Sequence, residues 1–148
     1  MLLKGITQIN QVLTPEEVQH AKNIIVAKFN RGELKKEDFD NHYDNSYGAG
    51  LPELDYLYDR LTPSIAQMTG LKIKKANTYA RIYFDGGVLT PHTDREGLDL
   101  TLSIQLENTF SEDKLIFGKG YDGTQYQSAL KDGDSVLLKG RDLTHWRD

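Results

Sequence analysis

The sequence has no cysteine in 148 residues. That absence removes disulfides, thiolate metal sites and a cysteine nucleophile together, and it fits a cytoplasmic protein. No apolar run approaches the ~18 residues needed to span a bilayer, so no membrane association is expected. The opening stretch MLLKGITQINQ has neither a long apolar core nor a small-residue cleavage site, so it does not read as a secretory signal. Positive charge is also in short supply. Eighteen Lys and Arg stand against 22 Asp and Glu, and a net charge of −4 argues against general nucleic-acid binding. Repeats, low-complexity tracts and Pro/Gly/Ser-rich linkers are missing too. What remains, 38% hydrophobic and 27% charged residues, suits a single domain over residues 1–148 with a real core.

The first third reads as helical. In TPEEVQHAKNIIVAKF, Thr14 is placed as N-cap, Pro15 at the first helical position and Glu17 at the third, which makes a capping box. Val18, Ala21, Ile25 and Phe29 then fall on one stripe. The next stretch, RGELKKEDFDNHYDNSYGAG, has no period and many turn formers, and reads as a loop. A second helix carries Leu54, Leu57, Leu61, Ile65 and Met68 on one side, with Pro63 expected to kink it or start a new turn and Gly70 expected to end it.

From residue 71 the texture changes to short β-branched and aromatic runs: NTYARIYF, LTLSIQLE, KLIFGKGY and SVLLKG. DGG at 85–87 and KDGD at 131–134 are turn signals. The expectation is an α+β domain. Residues 1–70 give helical support and loop, and residues 71–148 give a sandwich or barrel with the helices packed outside. In DLTLSIQLE, Leu100, Leu102, Ile104 and Leu106 share one face, and Thr101, Ser103 and Gln105 the other. That polar face either meets water or lines a ligand cavity.

Four histidines are present: His20, His42, His92 and His145. An H-x-D pair occurs twice, at His42/Asp44 and His92/Asp94. With 22 acids in 148 positions one such pair is close to a coin toss, so context decides. His42 and Asp44 lie in a polar, irregular stretch and read as surface loop residues, with a flap over a substrate as the second reading. His20 sits among polar helix neighbours and reads as solvated. His92 follows a strong strand, and in a strand it would share a face with Asp94. His145 follows the strand-like DSVLLKG. Two imidazoles and one carboxylate form the facial triad of non-haem Fe(II) oxygenases, which leaves three coordination positions open to a chelating cosubstrate and O2. A closed tetrahedral zinc site leaves none.

The runs YARIYFDGGVLTPHTDREGLDLTLSIQLEN and DGDSVLLKGRDLTHWRD together resemble the 2-oxoglutarate/Fe(II)-dependent dioxygenases, and within them the prolyl 4-hydroxylase-like group, over roughly residues 78–148. The resemblance implies a double-stranded β-helix, a jelly roll with N-terminal helices packed on one sheet. It implies His92, Asp94 and His145 as iron ligands, with Tyr83 and Gln105 facing the cosubstrate. It also implies a hydroxylation of a C–H bond that uses O2, turns 2-oxoglutarate into succinate and CO2, and is supported by ascorbate. The substrate class stays open between a protein side chain such as proline and a small molecule. Trp146 would pack beside the iron or wall the substrate pocket, and the loop around DFDNHYDNSYGAG would form a lid. One departure stands out. The family's basic anchor for the far carboxylate, on a last strand about ten residues past the second histidine, has no counterpart in these 148 residues. Three explanations stand open: Arg147 or Arg95 substitutes, the sequence is a piece of a longer one that carries the strand, or a partner chain supplies it; in each case SVLLKG would have an exposed neighbouring edge open to self-association. Two rival readings are a cupin-like enzyme using Zn(II) or Mn(II) without redox chemistry, and a non-catalytic jelly-roll interaction module.

Overall fold

The computed structural model describes residues 4–37, 43–74, 76–110 and 115–147. His42, and with it the H-x-D reading at His42 and Asp44, lies outside the described residues. In chain order the elements are β1 (Ile6–Ile9), α1 (Pro15–Asn30), β2 (Lys35–Glu37), β3 (Tyr43–Gly50), a short 3₁₀ turn (Pro52–Leu54), α2 (Asp55–Thr69), β4 (Tyr79–His92), β5 (Thr101–Ile104), β6 (Ile116–Lys119), β7 (Gln125–Ser128), β8 (Ser135–Leu138) and β9 (His145–Arg147). They form two antiparallel sheets, one ordered β1-β8-β5 and the other β2-β3-β4-β9-β6-β7. Among the described residues no helix is long and apolar enough to cross a membrane.

α1 starts where its capping box dictates. The Glu17 N–H donates to Thr14 Oγ1 at 3.1 Å, and the Glu17 carboxylate accepts the Thr14 N–H at 2.9 Å. Val18, Ala21 and Ile25 are buried, and Phe29 packs half-buried against the same core. In α2 the buried positions are Leu57, Leu61, Ile65 and Thr69. Met68, expected on that stripe, is exposed: it lies one residue, about 100° of helix rotation, away from Thr69. Thr69 is accommodated because its hydroxyl returns to the Ile65 carbonyl at 2.8 Å. Pro63 does not split the helix; it sits on the exposed side, where water reaches the backbone around it. Gly70 ends α2 at φ 71°, in the left-handed region that glycine enters without strain.

Three expectations are corrected here. The stretch read as a loop contains β2 and β3, and β3 pairs with β4 from Gly50↔Tyr79 to Tyr43↔Leu89. Residues 6–9, read as part of the helical third, form β1. DGG is a bulge inside a continuous β4 and not a turn. The register passes from Tyr83↔Ser46 to Val88↔Asp44, so residues 84–87 stand opposite Asn45 alone. KDGD does turn, with Gly133 at φ 93° and the Asp134 N–H donating to the Lys131 carbonyl at 2.9 Å.

All four residues of β8 are buried because both its faces are covered. Leu137 meets Ile65 of α2 and Leu102 of β5. Val136 and Leu138 point the other way, to Ile6, Ile116, Leu130 and Leu143. The three-stranded sheet therefore has α2 on one face and β6 on the other, while Tyr47 and Ala49 of β3 and Ala80 and Ile82 of β4 also pack on the helical core. β8 is paired on both sides, by β1 and β5, so the open edge expected beside SVLLKG is not there. In β5, Leu102 and Ile104 face the helical core, leaving Thr101 and Ser103 on the inter-sheet side with Leu138 and Val136.

Candidate metal centre

His92 ends β4 and His145 begins β9, and the two are direct cross-strand partners. Cross-strand partners share a face, which brings the ring centroids to 4.3 Å with the planes at 52°. Asp94 lies just beyond β4, tied down by its N–H to the Gly140 carbonyl at 2.7 Å. Its Oδ2 accepts the Thr101 hydroxyl at 2.8 Å. Its Oδ1 is 3.2 Å from His145 Nε2 and 3.5 Å from His92 Nε2. The three donor atoms of His92, Asp94 and His145 all lie within 4.8 Å of one another.

Each imidazole is oriented from behind. His92 Nδ1 lies 2.8 Å from the Thr90 carbonyl and His145 Nδ1 lies 2.9 Å from the Leu143 carbonyl. A carbonyl only accepts, so each Nδ1 carries a proton and each Nε2 is turned toward Asp94, donating to it when protonated and free to ligate a metal when not, the orientation that metal-ligating histidines use. Burial alone would raise the Asp94 pKa. Hydrogen bonds from His145, His92 and Thr101 outweigh it and hold the carboxyl far below the usual carboxylate range. Burial works against a charged His145, yet the Asp94 carboxylate and the Leu143 carbonyl outweigh it and raise its pKa.

The donor set fits a divalent ion. Bonds of ~2.1 Å meeting at right angles separate neighbouring donors by ~3.0 Å, close to the 3.2 and 3.5 Å found around Asp94 Oδ1. Among the described residues no fourth His, Asp or Glu joins the group, so the donors occupy one side only.

The other expected site residues divide. Arg147, two positions after His145, shares its face about 6.6 Å further along β9. Its guanidinium lies over the Tyr83 ring, 4.9 Å from the centroid. Burial lowers the Arg147 pKa, and no described acidic side chain pairs with it. Tyr83 is paired in register with Ser46, whose fully buried hydroxyl has no hydrogen-bond partner among the described residues. Nothing in the sequence marks Ser46, a serine in a stretch that reads as loop.

Gln105 is committed elsewhere. Its Nε2 donates to the Leu130 carbonyl at 2.7 Å and to Asp132 Oδ1 at 3.2 Å, about 13 Å along the chain from Thr101. Trp146 faces the opposite side of β9 from His145, stacked on Phe117 at 5.4 Å. Arg95 is exposed in the turn after Asp94, and His20 is exposed on α1.

No protein-family model matches the sequence, and no curated protein matches it. Solved structures do match. A prolyl-4-hydroxylase from Pseudomonas putida aligns with a TM-score of 0.79 at 14% identity, over 97% of this chain and 84% of that one. A prolyl hydroxylase from Trichoplax adhaerens, in complex with a hypoxia inducible factor oxygen degradation domain peptide fragment, aligns at 0.73 and 12%, over 97% and 76%. SnoK, a non-heme alpha-ketoglutarate-dependent carbocyclase of nogalamycin biosynthesis, aligns at 0.73 and 13%, over 99% and 74%. The chain therefore has the fold of these enzymes. At such identities the chemistry rests on the site itself.

Proposed function

We propose that the chain is an Fe(II)- and 2-oxoglutarate-dependent oxygenase that hydroxylates a C–H bond of a protein side chain such as proline, or of a small molecule, on a jelly-roll scaffold. One observation carries this reading: Nε2 of His92 and Nε2 of His145 lie 3.5 and 3.2 Å from Oδ1 of Asp94, near the spacing of neighbouring ligands, and among the described residues no fourth His, Asp or Glu joins them. The fold shared with prolyl hydroxylases and SnoK supports it.

His92, Asp94 and His145 would hold the iron. When bound, the metal with 2-oxoglutarate and O2 supplies an oxidation that releases CO2 and succinate and hydroxylates the substrate. The chain's own residues do the rest. The Thr90 and Leu143 carbonyls hold the two Nδ1 atoms and so aim both Nε2 atoms inward. Arg147 and Tyr83, with the Ser46 hydroxyl alongside, receive the far carboxylate of 2-oxoglutarate from the inter-sheet side. Gln105 acts behind the site by fixing the turn between β7 and β8. A cytoplasmic setting fits the cysteine-free composition.

The test is turnover of labelled 2-oxoglutarate with Fe(II) and ascorbate, read as CO2 release over a panel of proline-containing peptides and small molecules. Wild type should release more CO2 than a His92→Ala, Asp94→Ala double variant. Equal release rejects the reading. Retention of Zn(II) or Mn(II), with no displacement of metal-bound water by 2-oxoglutarate, favours the non-redox alternative. Absence of any metal binding favours the interaction module.

A further inference from the structure

Asp94 follows β4 in a segment without regular structure, so no ladder fixes its side chain. Two residues from other elements surround its carboxylate. The Thr101 hydroxyl, from β5, occupies Oδ2 at 2.8 Å. Gly140, in the turn after β8, is packed so tightly that a Cβ built on it would overlap Oδ2 and lie 2.8 Å from Cγ and 3.2 Å from Thr101 Oγ1. The φ of Gly140 is not in the left-handed region, so its backbone does not call for glycine; the approach of the carboxylate does. Gly140 also accepts the Asp94 N–H at 2.7 Å.

We propose that Thr101 and Gly140 are positioning residues that make Asp94 a one-oxygen ligand. Thr101 occupies Oδ2 by hydrogen bonding, and the bare Cα of Gly140 lets the carboxylate sit where only Oδ1 faces His92 and His145. If Oδ2 were released, the carboxylate would rotate, Oδ1 would leave its place between the two imidazoles, and the ion would be held less tightly and in a changed geometry. The inference rests on the proposed metal site and concerns the number of donor atoms that site presents.

The experiment uses the full chain titrated with Co(II), followed by visible absorption and calorimetry without any turnover. Variants are Thr101→Val, Thr101→Ser, Gly140→Ala and, as a control, Arg141→Ala. Arg141 ties the same two loops through Asp99 at 3.2 Å and Glu96 at 3.8 Å, but does not touch the carboxylate. Losing a residue that orients a metal ligand costs roughly 10- to 100-fold in affinity. Thr101→Val and Gly140→Ala should fall in that range and shift the Co(II) bands. Thr101→Ser, which keeps the hydroxyl, and Arg141→Ala should match wild type in both readouts. Metal-free melting temperatures identify any variant that is simply less folded. If Gly140→Ala misfolds, the Val/Ser pair at 101 still decides. Wild-type affinity and spectrum in Thr101→Val overturn the inference while the metal site stands. An equal loss in Arg141→Ala overturns it too, since loop tethering would then explain the effect. Failure of wild type to bind Co(II) overturns the inference and the proposed function together.

Discussion

Arg147 gives the most direct test of the cosubstrate geometry. It is a largely buried cation over the Tyr83 ring, 4.9 Å from the centroid, and the proposed function has it receive the far carboxylate. A charge-assisted hydrogen bond contributes ~1.5–3 kcal/mol, so Arg147→Ala should weaken 2-oxoglutarate binding to the Mn(II)-loaded protein by about tenfold to a hundredfold. The same substitution removes a cation–π interaction worth ~0.5–2 kcal/mol. It also relieves the protein of holding a charge out of water, and the two effects oppose each other, so folding stability should change little. Arg147→Lys should recover only part of the affinity, because an ammonium lacks the flat surface that stacks on Tyr83. The assay compares 2-oxoglutarate with 2-oxobutyrate, which keeps the chelating end and lacks the far carboxylate. Only 2-oxoglutarate should lose affinity in Arg147→Ala. Equal loss for both ligands would mean that Arg147 shapes the metal end of the site, and no loss for either would mean that it does not face the cosubstrate. Either result refutes the assignment.

Three further outcomes follow from the packing and charges. Leu137→Ala should destabilise the fold by ~2–5 kcal/mol in urea unfolding, because Leu137 is buried against Ile65 of α2 and Leu102 of β5 and its loss leaves a cavity there. Divalent metal should raise stability by about 2.7 kcal/mol when present at a hundred times its dissociation constant, seen as an increase in Tm that vanishes in His145→Ala. Asp134 supplies a pH test. The Gln11 N–H, foremost, and the Lys131 N–H hold its carboxyl below the usual value, against the opposing effect of burial. A depressed folded pKa means the stabilisation is complete above the unfolded pKa of ~3.9 and disappears as pH falls through the lower folded value. The stability gap between wild type and Asp134→Asn should therefore be flat from neutral pH to about pH 5 and close progressively below pH 4. A gap that widens on acidification would contradict the sign.

What the sequence discloses, and what it hides, follows from where each signal resides. The capping box of α1 is written within four consecutive positions, so Thr14, Pro15 and Glu17 suffice to place it. SVLLKG reads as a strand because both faces of β8 are buried and each residue from Ser135 to Leu138 is apolar or small. β3 hides because DNSYGAG has weak strand propensity; its pairing with β4 forms the strand, and small residues such as Ser46 and Gly48 are tolerated because they are buried against a neighbour. The β4 bulge hides for a similar reason: Gly-rich DGG suits a turn and a bulge equally, and only the partner register distinguishes them. Gln105 shows the limit of face alternation. A period of two gives its side of the chain but says nothing about distance along the strand, and the amide reaches the 130–132 turn. The triad is legible as residue types in order, because cross-strand pairing makes distant histidines neighbours only if each sits on its strand. What order cannot encode is which carboxylate oxygen faces inward. That choice is made by a hydroxyl seven residues after Asp94 and by a missing Cβ at Gly140, two features that acquire meaning only when β5 and the turn after β8 close around the same side chain.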